Sequence, residues 1–238
     1  MSAPWLVSMG WRNALFLHWP VDPGALRALI PHDLELDVLD GSAWVGIVAF
    51  SITGARARGV PAPLALRSFG EVNVRTYVTG GGKPGVWFLS LDAASAVTVR
   101  AGRRVLHLPY YDARIATAWD QETCAYRVER TDTRAPAARF DARARFANGV
   151  RTAPAGSLEH RLVERYCFFT ADRRGRTVRG DVTHAPWPLR DAAATVADNT
   201  LLAAAGIAAL GDAPLVHASA GVAARARYLV ALEERASR

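Results

Sequence analysis

The residue types with most chemistry to offer stand at alternate positions of one segment. Phe69-Gly-Glu-Val-Asn-Val-Arg-Thr-Tyr-Val78 puts Glu71, Asn73, Arg75 and Tyr77 on one face of an extended strand and Val72, Val74 and Thr76 on the other, because successive strand side chains point to opposite sides. A carboxyl, an amide and a guanidinium in one row can move a proton, read a hydrogen-bonding group and grip a carboxylate bidentately. The backbones of Glu71 and Arg75 would lie roughly 13–14 Å apart on a strand, too far for the two charges to cancel fully. Downstream, Leu108-Pro-Tyr-Tyr111 offers two phenols at a strand start. Glu71 is the candidate acid or base and Tyr110 the candidate group to polarise an oxygen. Asn73, Arg75 and Tyr111 are candidate ligand-binding residues. The alternatives are a solvated strand face or a structural polar network for the row, and aromatic packing for the tyrosines.

These residues need elements that wall them in. After a Gly-Gly-Gly-Lys-Pro-Gly turn the chain returns as Val86-Trp-Phe-Leu-Ser-Leu-Asp92. Trp87, Leu89 and Leu91 would share one face, Val86 and Phe88 the other. A strand apolar on both faces is covered on both. Its polar hairpin partner is then covered too, and buried charges call for a partner or a purpose. The expected arrangement is a small-molecule pocket.

The chain of 238 residues is half apolar and about a fifth charged, enough for a sizeable core and expected as a single domain over residues 1–238. No apolar run is long enough to cross a bilayer, and the start does not read as a signal peptide, so the cytoplasm is the default location and no membrane partner is expected. Of 29 basic side chains all but Lys83 are arginine, and the net charge is +7. These arginines are spread among Asp and Glu with no basic tail, so nucleic acid is not the expected partner. A small, anionic ligand is, and a homo-oligomer is compatible with the sequence. Cys124 and Cys167 match no metal or redox spacing and read as free thiols. The six histidines, His18, His32, His107, His160, His184 and His217, form no tight ligand pair. No metal and no cofactor is expected.

Along the chain, Asp22 to Pro31 reads as a short capped helix. Leu34–Leu39 and Ala43–Ile52 read as strands joined in a hairpin at Asp40-Gly41. Arg56–Arg67 is a loop. Glu71–Thr79 and Val86–Asp92 are strands, and Ala93–Leu106 is ambiguous between helix and strand. Strands follow near Ala113–Trp119, Thr123–Thr131 and Ala138–Phe146, then a helix from Ser157 to Arg165 and a hairpin of Tyr166–Thr170 with Thr177–His184. Asp191–Leu210, rich in Ala, is the longest helical candidate. Pro214–Ser219 and Ala224–Leu232 are strands. The fold class is α+β, mainly antiparallel β.

Several runs together carry a resemblance: His18-Trp-Pro20, Leu26-Arg-Ala-Leu-Ile-Pro31, Asp40-Gly-Ser-Ala-Trp44, Glu71-Val-Asn-Val-Arg-Thr-Tyr-Val78, Gly85-Val-Trp-Phe-Leu-Ser-Leu-Asp92, Leu108-Pro-Tyr110 and His184-Ala-Pro-Trp-Pro-Leu189. In these the chain is similar to the YqjF-like family, a domain of unknown function, which resembles the acetoacetate decarboxylase superfamily. The resemblance implies a closed antiparallel barrel or cone flanked by a few helices, with an internal pocket. It places His184 and His18 in family-like motifs, and His184 is taken as a ligand-binding candidate. It also implies that Glu71 matches a pocket glutamate of the decarboxylases. Their Schiff-base lysine, in a Gly-x-Pro-Lys-type segment, would fall at Tyr110. A phenol makes no imine, and Lys83, in a glycine-rich turn, is a poor imine former. The expected function is therefore binding of a small carboxylate or oxo compound without the Schiff-base lysine. A non-imine enzyme of lyase or hydrolase type, using Glu71 as acid or base, is the alternative.

Overall fold

The computed structural model describes residues 4–61, 66–208, 211 and 213–232. In chain order the strands are β1 (Trp5–Val21), β2 (Glu35–Leu36), β3 (Ala43–Ala57), β4 (Phe69–Gly80), β5 (Lys83–Ala93), β6 (Tyr110–Trp119), β7 (Thr123–Arg130), β8 (Arg139–Phe146), β9 (Cys167–Ala171), β10 (Thr177–His184), β11 (Leu189–Asn199) and β12 (Leu215–Ala231). The helices are α1 (Pro23–Arg27), α2 (Ala96–Val105), α3 (Leu158–Val163) and α4 (Leu201–Ala204). The mainly antiparallel sheet closes in a ring without forming a regular barrel.

The closure makes two compartments that share one wall. Strands β4, β5, β9, β10, β12, β1 and β3 pair in that order and return to β4. A larger circuit runs through β6, β7, β8 and β11 instead. The side chains of β1, β3 and β4 alternate between the two. Leu15, Leu17, Ile47, Ala49, Val72 and Val74 point into a core shared with Tyr126, Val128 and Phe140 of the larger circuit. The intervening residues Phe16, Val48, Phe50, Glu71, Asn73 and Arg75 point into the smaller ring. This alternation is the physical origin of the polar row.

Bulges decide which side chains join the cavity wall. On β5 the register with β4 slips between Val74 and Arg75: Val74 faces Ser90 while Arg75 faces Phe88. Leu89 is the extra residue, and beyond it the facing of the strand is inverted. Val86, Phe88 and Leu91 therefore all line the cavity, whereas strict alternation placed Leu91 on the side opposite Phe88. A second irregularity in β1, between Arg12 and Leu15, includes Asn13 at φ 57°. It lets Met9 and Trp11 share the cavity with Phe16.

Three local expectations are corrected. The long helix of Asp191–Leu210 is instead β11 followed by the short α4; residues 209 and 210 lie outside the described residues. Ladders to β8 and β12 override the modest helix preference of alanine, and alternate alanines pack inward. Leu34–Leu39 does not form the first arm of a hairpin with the next strand. Asp40 and Gly41, at φ 51° and 78°, do make a tight turn bridging Leu39 to Ser42. However, Glu35–Leu36 pair with Thr79 and Val78 of β4. The loop expected over Arg56–Arg67 begins later, because β3 runs to Ala57; residues 62–65 lie outside the described residues. The ambiguous 93–106 segment contains helix α2, capped by the Ser95 hydroxyl, which accepts from Thr98 N at 3.3 Å. No helix of the described residues is long and apolar enough to cross a membrane.

Candidate functional site

The smaller ring holds a cavity of about 110 Å³. Its walls are aromatic and aliphatic: Trp11, Phe16, Phe50, Phe88, Phe168 and Trp187 among them. Glu71, Asn73, Arg75, Arg165, Tyr110 and His184 bring polar groups to it. An apolar cavity with a few converging polar groups is the usual form of a small-molecule site.

Glu71 and Tyr110 meet inside it. The Tyr110 hydroxyl donates to Glu71 Oε2 at 3.0 Å, and both side chains are buried. β4 supplies the acid and the first residue of β6 supplies the phenol, reached through a turn at His107 whose backbone is left-handed, φ 54°. Burial pushes the Glu71 pKa up to about 8; the hydrogen bond from Tyr110 opposes that rise and the nearby negative charge of Asp92 adds to it. Glu71 therefore stays mostly protonated at neutral pH. Burial, together with the charge and hydrogen bond of Glu71, holds the Tyr110 phenol well above its ordinary pKa. The pair is thus a neutral acid beside a neutral phenol.

Arg75 stands two positions beyond Asn73 on the same face. Its Nη2 donates to Leu162 O at 3.2 Å and its Nε to the Tyr77 hydroxyl at 3.4 Å. The guanidinium lies over the Tyr77 and Phe16 rings at 5.6 and 6.0 Å. No carboxylate among the described residues pairs with it. Gly46 faces Arg75 on β3, where a Cβ would come within 2.7 Å of the Tyr77 hydroxyl. Asn73 is buried, and its Oδ1 has no hydrogen-bond partner.

His184 lines the cavity. Its Nδ1 lies 2.8 Å from Ala185 O, an acceptor, which assigns the ring proton to that nitrogen. The ring stacks on Tyr166 at 4.6 Å and packs near Trp11 and Trp187. His18, of the other family-like motif, is fully buried but outside the cavity wall, against Tyr77 and Phe16. Burial, with the positive Arg75 and with His217 nearby, holds its pKa well below the ordinary value.

Tyr111 is not brought to this site. It follows Tyr110 on the strand and so faces the other way, with the Arg130 and Arg103 guanidiniums 4.5 and 5.8 Å from its ring centroid. Arg130 in turn grips buried Asp92 through two bonds of 2.6 and 2.8 Å. Lys83 lies at the β4–β5 turn, paired with Asp181 at 2.7 Å, and no lysine lines the cavity among the described residues. Sequence reasoning missed Arg165. It lines the cavity, pairs with Asp37 at 2.7 Å and covers the Tyr77 ring at 5.1 Å. It sits just past α3, and nothing in its local spacing separates it from a helix-end arginine. Among the described residues no group of three His, Cys, Asp or Glu is placed to hold a metal ion.

This ring, with its inward polar row, defines an acetoacetate decarboxylase-like fold. The acetoacetate decarboxylase of Legionella pneumophila superposes with a TM-score of 0.67 over 95% of this chain and 87% of that one, at 14% identity. The enduracididine biosynthesis enzyme MppR, solved in complex with pyruvate, superposes with a TM-score of 0.67 over 98% and 92% of the two chains, also at 14% identity. Within that fold the chain belongs to the DUF2071 family of uncharacterized conserved proteins, whose model matches residues 8–223. It is 39% identical over 213 residues to the uncharacterized protein YqjF of Bacillus subtilis, covering 90% of this chain and 87% of that one.

Proposed function

We propose that the protein binds a small monoanionic carboxylate or oxo compound within the ring, without forming an imine. The observation that carries this reading is Arg75: a permanent cation on the cavity wall, held by a carbonyl and a phenol, with no carboxylate partner among the described residues. Arg165 is offset by Asp37, and Glu71 is mostly neutral at pH 7. The wall therefore carries about one uncompensated positive charge, which a monoanion matches. The ligand carboxylate would sit on Arg75, and an oxo or hydroxyl group would meet the Glu71–Tyr110 pair, with the apolar body against the aromatic walls. That MppR, of the same fold, is complexed with pyruvate supports a small oxo acid as the first probe. The only lysine is held at a turn by Asp181, so the reading needs no Schiff base.

Calorimetric titration with pyruvate, acetoacetate and benzoate tests it. At least one should bind, and Arg75→Gln should weaken binding at least tenfold, as expected for loss of a charge-assisted contact worth about 1.5–3 kcal/mol. No binding by any of the three, or equal binding by the variant, overturns the reading.

A second reading is favoured by one observation, the 3.0 Å bond between a protonated acid and a phenol. Such a pair can deliver a proton to a developing oxyanion, as a non-imine lyase or hydrolase would require. Proton NMR of the same compounds after incubation separates the two. Unchanged ligand supports binding alone; an altered compound, lost in Glu71→Gln, supports catalysis.

A further inference from the structure

We infer that small anions reach the cavity through a seam in the ring between β9 and β6, where Phe88 and Leu108 form the door and the cleft outside is a cationic vestibule. The ligand class in this inference rests on the anion-site reading above; the route does not.

The seam follows from strand pairing. One edge of β5 is laddered to β4 along its whole length except at the Leu89 bulge. Its other edge serves two strands in turn. Val86 and Trp87 pair with Phe168 and Phe169 of β9, and pairing resumes only at Leu91 with Tyr110 of β6. Among the described residues Phe88, Leu89 and Ser90 have no ladder partner on that edge. The two-residue β5–β9 junction is the shortest pairing in the smaller ring, and the gap lies directly beside it. Where backbone hydrogen bonds end, only side chains close the wall, and side chains rotate far more readily than a sheet opens.

Two apolar side chains fill it, and at its outer lip the Thr170 hydroxyl of β9 donates to His107 O at 2.6 Å. Phe88 and Leu108 line the internal cavity and also an open cleft of about 600 Å³ on the outer surface. The segment leading into β6 alternates across this wall: Leu106, Leu108 and Tyr110 face the cavity, while His107, Pro109 and Tyr111 face the cleft. The partition is thus one layer thick.

The cleft is cationic. Arg103 and Arg173 line it, and neither has a carboxylate partner among the described residues. Arg103 is fixed in place by donating to Tyr110 O at 3.0 Å. The one carboxylate there, Asp172, is already paired with Arg176 at 2.8 Å. Cationic walls raise the local concentration of anions and their rate of arrival, and salt removes the effect. The competing route is at the opposite side, where Met9 and His184 also line an outer groove. There β1, β12 and β10 are laddered across the groove, Met9 to Ala224 and Ala224 to His184, and beside Met9 the β1–β3 ladder is interrupted only between Ser8 and Gly10.

The test uses a thiol placed inside the cavity by Val48→Cys and its alkylation by iodoacetamide and by the anionic iodoacetate, at fixed pH, with peptide mapping. Cys124, outside the smaller ring, is the internal reference for general loosening. Phe88→Ala should raise both rates at the introduced thiol at least fivefold relative to Cys124. Phe88→Leu, the safer variant for folding, should raise them less, and Phe88→Trp should lower them. Arg103→Gln with Arg173→Gln should lower the iodoacetate-to-iodoacetamide rate ratio at least threefold at low salt and have no effect at high salt. Rates insensitive to Phe88, or slowed by Met9→Trp instead, overturn the route. An unchanged ratio in the double variant overturns the vestibule. Alkylation needs no resting ligand, so failure of pyruvate, acetoacetate and benzoate to bind would sink the anion-site reading and leave the route standing.

Discussion

Glu71 Oε2 accepts a 3.0 Å hydrogen bond from the hydroxyl of Tyr110 across 39 residues of sequence, inside a wall of aromatic side chains. The acid is on β4 and the phenol on β6, and burial rather than a neighbouring cation governs both. Folding therefore selects the protonated acid, and this links stability to pH.

The ordinary carboxyl of Glu71 titrates at 4.5 and the folded one at about 8. Between those values the folded chain keeps a proton that the unfolded chain has lost, so stability falls as pH rises through that window and levels off above it. The full effect is at most about 5 kcal/mol, from roughly 1.4 kcal/mol per unit. Urea unfolding at pH 5 and pH 8 should show wild type losing several kcal/mol more than Glu71→Gln. Equal losses would refute the assignment.

Tyr110→Phe removes the donor that draws the Glu71 pKa downward. The titration of Glu71, followed by carbon NMR of its carboxyl, should move to higher pH. Stability at pH 6 should drop by about 1 kcal/mol, the usual worth of such a bond. A downward move would mean that the phenol serves another partner.

Asp92 and Arg130 form a buried ion pair, with side chains 0% and 2% exposed. Asp92→Leu or Arg130→Met alone should cost about 3–5 kcal/mol, because each leaves the other group without its partner. The double variant Asp92→Leu/Arg130→Met should recover most of that loss. Denaturant melts of the four proteins give the coupling energy, and purely additive losses would show that the pair does not act as a unit.

Gly46→Ala puts a methyl 2.7 Å from the Tyr77 hydroxyl and 3.0 Å from the His18 ring. It should cost about 1–3 kcal/mol through overpacking. It should also weaken binding of whichever of pyruvate, acetoacetate and benzoate binds, since the Tyr77 hydroxyl is one of the two acceptors holding Arg75. A variant that melts lower but binds that compound as wild type would separate Tyr77 from the positioning of Arg75.

The polar row of β4 was legible because its period of two is uninterrupted, and because the apolar run after the glycine turn announced a covered neighbour. Side-chain facing on β5 was not legible past Leu89, since one extra residue inverts it and no residue type there marks a bulge. The 17-residue β1 escaped notice for the same reason, as its two faces exchange across Asn13. Adjacency in sequence groups Tyr111 with Tyr110, whereas adjacency on a strand separates their side chains. The alanines of β11 favour a helix, while two partner strands, invisible from local sequence, decide otherwise. Arg165 needed Asp37 beside it to become recognisable, and 128 positions of chain separate them.

The wall shared by β1, β3 and β4 gives each strand two unrelated duties, divided by which face a side chain takes. On β4 the even positions Val72 and Val74 answer to the core and the odd positions Glu71, Asn73 and Arg75 to the cavity. Selection can therefore re-letter one set while leaving the other untouched. A scaffold of this kind can change the lining of its cavity by exchanging a handful of letters on one face, at little cost to the integrity of the shell.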